Sequence, residues 1–390
     1  LTHFISCGNG GDNKNTGSNS RQENMQVIDS SVIQAKYSDV NKNNKEPFTL
    51  NDFYSDNSKL DSVNENVFSG LSDEECIGQM IVVSAGDLGK STEQTDALIN
   101  KRKIGGVLLL GGSKDAFTDM ITGFKTTASN SGSLPLIFSE DAEPSLMNLK
   151  ITGIKDFPPT NSIKTVQESG KIANDICQIL KEIGINQNYA PVCDFDLNKE
   201  IIGNRSFGSD ENVVSKLAGE FIKQTQSNNI IATAKHFPGH GNVKGDTHKE
   251  LVYIDGEMKE LGVFAEMIKQ GVISVMVGHI AIKNNDKYNT NGKPSTLSRK
   301  IVTGLLKEEL GFKGIVVTDG MNMGALDAFK SASLSAIKAG CDMILMPGNE
   351  SQLINSVKKE MNRDDNFRLQ IYESVKKIIR AKICLGLIGD

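Results

Sequence analysis

Four of the five histidines of this chain fall between His236 and His279. Three of them share one stretch, Lys235-His236-Phe237-Pro238-Gly239-His240-Gly241-Asn242-Val243-Lys244-Gly245-Asp246-Thr247-His248. Proline and glycines punctuate it and no apolar run crosses it, so it reads as a loop that can move. His236, His240 and His248 are spaced i, i+4, i+12 with glycines between them. They do not share a helix face, as zinc ligands on a helix would, and no metal site is expected from them. Single polar residues also stand directly after short apolar runs. Asp141, Asp194, His279 and Asp319 each follow one run, and Lys235 with His236 follows another.

Those runs are the elements that must position the polar residues. They are Met80–Val83, Gly106–Leu110, Leu136–Phe138, Gln187–Val192, Ile230–Ala234, Ile273–Val277, Ile315–Val317 and Met343–Leu345. Helical periodicity fills the intervals, as in Val166–Ile183, Asn212–Gln226, Gly256–Gln270, Arg299–Leu310 and Leu334–Ala339. Gly184, Gly271, Gly311 and Gly340 each precede the next run, where helix C-caps belong. Continuous apolar strands alternating with helices imply a parallel sheet covered on its outside, and eight such units close an α/β barrel of the (β/α)8, TIM-like type. In a barrel the ends of the strands converge on one mouth, which is where active sites form. An open doubly wound sheet would want a Gly-rich phosphate loop after the first strand, and Ile81-Val82-Val83-Ser84-Ala85-Gly86-Asp87 has none.

Composition narrows the partners. The chain has 390 residues, 43 Lys plus Arg against 48 Asp plus Glu, and a net charge of −5. Without basic runs, nucleic acid is not expected as a partner. No apolar stretch approaches the ~20 residues needed to cross a bilayer. The six cysteines are scattered without CxxC or metal spacing, so they are expected to be small buried apolar residues.

The loop around His240 resembles the signature of glycoside hydrolase family 3, in its bacterial β-N-acetylglucosaminidase branch. That signature runs Lys-His-Phe-Pro-Gly-His-Gly, four residues, then Asp-Ser/Thr-His, and every named position matches here. Ile202-Gly203-Asn204-Arg205-Ser206-Phe207-Gly208, Val317-Thr318-Asp319-Gly320-Met321 and Ala339-Gly340-Cys341-Asp342-Met343-Ile344-Leu345-Met346-Pro347 match further segments in family order. The resemblance covers roughly Leu71 to Leu387. After the third strand the family has Asp-Gln-Glu-Gly-Gly-Arg. Here Asp141-Ala142-Glu143-Pro144-Ser145-Leu146 keeps the Asp and loses the Gly-Gly and the Arg, so the outer substrate contacts of this loop are expected to differ.

The resemblance implies a retaining exo-glycosidase without a cofactor. Asp319 would be the nucleophile, and Asp246 with His248 would be the acid/base dyad, His248 moving the proton and Asp246 orienting it. A retaining mechanism needs a carboxylate on one face of the anomeric carbon and a proton donor on the other. An imidazole titrates near ~6.5, and an adjacent carboxylate favours its charged form. Asp141, Arg205, Lys235 and His236 match positions that hold sugar hydroxyls. Asp194 is expected either to contact substrate or to orient Lys235, and His279 to support the site from behind. The implied substrate is terminal GlcNAc of peptidoglycan-derived fragments. Two other outcomes stay open: a phosphorylase using phosphate as acceptor, and a non-catalytic sugar-binding lipoprotein, which would have lost Asp319, Asp246 or His248. We expect one barrel without a second domain, acting as a monomer.

The start of the chain resembles the tail of a bacterial lipoprotein signal. Phe4-Ile5-Ser6 would be a signal remnant (residues 1–6) and Cys7 the lipidated residue, placing the protein on the extracellular face of the cell membrane. From Gly8 to Glu65 Asn, Ser, Asp, Lys and Gly dominate, so residues 7–65 are expected to be an anchored flexible tether and 66–390 the barrel domain.

Overall fold

The computed structural model describes residues 47–389. Cys7 and most of the expected tether lie outside the described residues. Eight parallel strands form the barrel: β1 (Ile81–Ala85), β2 (Gly106–Leu109), β3 (Ile137–Glu140), β4 (Gln187–Asn188), β5 (Ile231–Phe237), β6 (Ser274–Val277), β7 (Ile315–Thr318) and β8 (Ile344–Leu345). Each pairs with its sequence neighbour, and β8 pairs back to β1 through Ile81 opposite Ile344. The ring closes between β7 and β8 by a single parallel bridge, Val317 to Met343. Asp342 reinforces that seam. Its Oδ2 accepts Val316 N at 2.8 Å while its Oδ1 meets Ser374 Oγ at 2.7 Å and Lys307 Nζ at 3.0 Å. The aspartate of the Gly340–Pro347 motif is therefore a structural clamp.

Helices follow each strand: α3 (Thr92–Asn100), α4 (Lys114–Ser131), α5 (Val166–Ile183), α6 (Glu211–Ser227), α7 (Leu261–Lys269), the π-wound α8 (Lys300–Glu309), α9 (Ala332–Ala339) and α10 (Glu350–Met361), before the closing α11 (Asp365–Cys384). Local chemistry fixes their ends. At α5, Thr165 Oγ1 accepts Glu168 N, and Glu168 Oε2 accepts Thr165 N in return. Gly184, at φ 98°, ends the same helix. Between them Ala173, Ile176, Cys177, Leu180 and Ile183 recur at three- and four-residue steps and are buried. The cysteines among the described residues are all buried and unpaired, as small apolar residues. Two short parallel pairs lie outside the barrel, Val252–Asp255 with Ile280–Lys283 and Gly112–Ser113 with Ile151–Thr152; periodicity did not foreshadow either.

The domain boundary expected at residue 66 needs correction. Residues 50–69 are folded, with Leu50–Asp52 in one helical turn and α1 over Ser58–Ser69, followed by α2 (Asp73–Gln79). Leu50, Phe53, Leu60 and Val67 are buried in the main core. Asn57 caps α1 by accepting from Lys59 N and Leu60 N. Arg380 of α11 donates to Phe53 O and Ser55 O, each at 2.6 Å, and pairs with Asp61. A polar average hid the sparse stripe Leu60, Val63, Val67, which is enough for one helix face.

Candidate active site

The strand ends bring the expected residues to one mouth. Lys235 and His236 lie near the end of β5, and Asp141, Asp194, His279 and Asp319 follow β3, β4, β6 and β7. Asp319 is part-buried; its amide donates to Val277 O at 3.0 Å and its Oδ1 accepts Gly320 N at 2.8 Å. Burial would raise its pKa, but His236, His279, the Gly320 amide and Lys235 outweigh it and hold the carboxyl below its usual range. It is thus ionised at neutral pH, as a nucleophile must be.

Beside it lies a charge cluster. Lys235 Nζ contacts Asp141 Oδ1 and Glu143 Oε1, each at 2.5 Å. Arg205 grips Glu143 with both arms, Nε to Oε2 at 2.8 Å and Nη2 to Oε1 at 2.7 Å. Lys150 stands 3.6 Å from Asp141 Oδ2. Burial pushes Asp141 and Glu143 up, yet Lys235 with Lys150 for the first, and Arg205 with Lys235 for the second, keep both below the carboxylate range. Glu143 is not among the expected site residues, although it sits inside the Asp141–Leu146 stretch that departs from the family pattern. Its side chain is 1% exposed, so it holds Arg205 and Lys235 rather than substrate.

Asp194 corrects an expectation. It is fully buried, and among the described residues its carboxylate's hydrogen bonds go to His236 and His240, not to Lys235. Its Oδ2 accepts His236 N at 3.0 Å and meets His236 Nδ1 at 2.7 Å, and its Oδ1 accepts His240 N at 2.6 Å. A carboxylate this deep must be compensated, and two histidine residues do so. His279 supports the site from behind. Its Nε2 donates to Gly320 O at 2.9 Å and Nδ1 meets Thr296 Oγ1 at 2.7 Å. Burial lowers its pKa, and its ring braces the residue after Asp319.

The Asp246–His248 pair sits on the loop that follows β5. Both His248 N and Nδ1 approach Asp246 Oδ1, at 2.9 and 2.8 Å. Burial raises the Asp246 carboxyl, but hydrogen bonds from His248 and Lys249 prevail and keep it ionised. With Nδ1 turned to Asp246, Nε2 is the nitrogen left to carry a transferable proton; the His248 side chain is 63% exposed. The loop touches the strand-7 side of the mouth: Gly324 N donates to His248 O at 3.1 Å and Ala325 N to Thr247 O at 3.2 Å. His240 Nε2 meets Thr247 Oγ1 at 3.0 Å, bracing the loop from within.

Comparison with known proteins gives the same picture. The family model "Glycosyl hydrolase family 3 N terminal domain" matches residues 72–381. A β-hexosaminidase of Nitrosomonas eutropha is 29% identical over 306 residues, covering 72% of this chain and 86% of that protein. A family 3 β-N-acetylglucosaminidase from Paenibacillus sp. superposes with TM-score 0.73 and 26% identity, covering 81% of this chain and 63% of that one. A β-N-acetylhexosaminidase from Beutenbergia cavernae gives TM-score 0.72 and 26% identity, covering 80% of this chain and 98% of that one. With the matched model spanning the whole barrel, the chain belongs to glycosyl hydrolase family 3.

Proposed function

We propose that the protein is a retaining exo-β-N-acetylglucosaminidase that removes terminal GlcNAc from peptidoglycan-derived fragments. The observation that carries this is the pairing of an ionised Asp319 at the end of β7 with an Asp246–His248 dyad on a loop hydrogen-bonded to the segment just after Asp319. Relatives named β-hexosaminidase support the sugar class.

In the first step Asp319 attacks the anomeric carbon while His248 Nε2 passes its proton to the leaving oxygen. The glycosidic bond breaks and a glycosyl ester on Asp319 forms. In the second step neutral His248 takes a proton from water, which attacks the same carbon and releases Asp319 as carboxylate. One group thus serves as acid and then base, as a retaining mechanism requires. Asp141, Arg205 and His236 supply donors and acceptors for the sugar hydroxyls, while Lys235, as deeply buried as Glu143, holds the Asp141 and Glu143 carboxylates in place.

A histidine acting as base is neutral and repels phosphate less than a carboxylate does, so phosphorolysis is the second reading. Turnover of p-nitrophenyl β-GlcNAc and β-glucoside, each with and without phosphate, tests both. Preference for GlcNAc with no phosphate stimulation supports the proposal; GlcNAc-1-phosphate as product replaces hydrolysis with phosphorolysis; preference for glucoside rejects the sugar assignment. The reading of Cys7 as a lipid anchor is proposed on the Phe4–Cys7 residues alone. Detergent partitioning of wild type but not of Cys7→Ser supports it, and a wholly aqueous wild type removes it.

A further inference from the structure

Glu260, the residue before α7, has no part in the chemistry above, yet its side chain is buried at 1% exposure. Its Oε1 has no hydrogen-bond partner among the described residues. Its Oε2 lies so close under the loop that a Cβ on Gly239 would come within 2.6 Å of it. The backbone amides of Phe195 and Gly241 face the same carboxyl. Gly241 is in turn pressed onto Phe195, where a Cβ would stand 2.0 Å from the carbonyl oxygen. His240, between the two glycines, is gripped by Asp194 through its amide. The root of the His248 loop is therefore held residue by residue from below.

That root needs an external restraint. Gly239 at φ 131° and Gly245 at φ 98° bring conformational freedom that no side chain of their own limits. Burying a carboxyl costs free energy that Leu or Met would not, so packing alone does not account for it. Burial, with the charge of Asp194 adding to it, pushes the Glu260 carboxyl up to about 7, so a neutral acid is available near neutral pH. Glutamine has the same shape and can present the same acceptor to the two amides.

We propose that Glu260 anchors the root of the His248 loop and is a positioning residue for the acid/base step. The inference rests on the reading of His248 as acid/base for its kinetic half, and on the loop's own motion for the other half. Hydrogen exchange of the 239–250 amides in the full chain, with kinetics on a β-linked disaccharide and an activated aryl glycoside, tests both halves. Glu260→Ala should speed exchange across 239–250 by about tenfold, the loss of one buried hydrogen-bonding partner, and leave the remaining barrel amides unchanged. Its kcat on the disaccharide should fall by a similar factor at unchanged KM, with far less effect on glycosyl-enzyme formation from the aryl substrate. Glu260→Gln should restore both readouts. If Glu260→Ala does not fold, Glu260→Asp replaces it, one methylene too short to reach the glycines. Wild-type exchange in the Ala or Asp variant overturns the anchor, and equal losses on both substrates overturn the positioning role. His248→Ala measured alongside keeps the two readings apart. If it too is indifferent to the leaving group, the acid assignment has failed, while the exchange data still decide the anchor.

Discussion

Glu143 shows how much of this site is held by residues that never meet substrate. Its carboxylate neutralises Arg205 and Lys235 at 2.7 and 2.5 Å, with almost no access to water. Glu143→Gln would take from Arg205 the carboxylate it grips with both arms and leave Lys235 with Asp141 alone. Breaking a buried pair costs roughly 3–5 kcal/mol, and small misplacements of binding groups cost on the order of 10²-fold in rate. We expect Glu143→Gln to lower the thermal midpoint and to reduce kcat/KM by about that factor, measured by calorimetry and steady-state kinetics; near-wild-type values would mean that Arg205 and Lys235 hold their places unaided. For His248 the leaving group is the reporter. A sugar alkoxide needs a proton to depart and a nitrophenolate hardly does. His248→Ala should therefore slow disaccharide cleavage by roughly 10²–10⁴-fold, the usual range of general acid catalysis, and slow glycosylation by an aryl glycoside far less. Asp246→Asn should show the same pattern more mildly.

At the scale of elements, the N-terminal segment carries a test of its own. Arg380 binds the carbonyls of Phe53 and Ser55, and α1 puts Leu60 and Val67 into the core. Leu60→Ala should cost about 2–5 kcal/mol, and a chain starting at residue 66 should melt well below one starting at residue 47. Equal melting would make this segment an ornament of the barrel. All eight barrel strands were legible in the sequence, because parallel strands buried on both faces read as continuous apolar runs. The bounds of α5 were legible because helical periodicity runs over Val166–Ile183 and Gly184 ends it, whereas the Thr165–Glu168 capping pair at its start emerged with the structure. Strand β4 is regular only over Gln187–Asn188 of the longer run Gln187–Val192, because Pro191 has no N–H to give the ladder, yet the chain stays beside β5: Thr233 N donates to Ala190 O, Lys235 N to Pro191 O and Cys193 N to Lys235 O. The roles of Asp194 and Glu143 were not legible. Glu143 lies in the stretch that departs from the family pattern and Asp194 simply follows a strand, and only the fold decides whether such a group faces the mouth or a neighbouring side chain.

For the whole molecule, one buried group far from the mouth sets a pH dependence of stability. Lys382 in α11 is fully buried, and its Nζ meets Gln79 Oε1 at 2.6 Å. Burial lowers its pKa to about 7. An unfolded lysine keeps its proton to about 10.4, so between these values the unfolded chain binds more protons and stability rises with pH. Lys382→Met should flatten that rise, whatever its net effect, in urea midpoints taken from pH 7 to 10; an unchanged slope would mean that another group carries it. Catalysis depends on the opposite end of the barrel, and there the central claim is a covalent one. A fluorinated N-acetylglucosaminyl donor that forms the ester quickly and releases it slowly should trap the intermediate. Mass spectrometry of the digested protein should find one glycosyl adduct, on Asp319, and none in Asp319→Ala. An adduct on another residue, or complete turnover with inverted product and no adduct, would contradict the account.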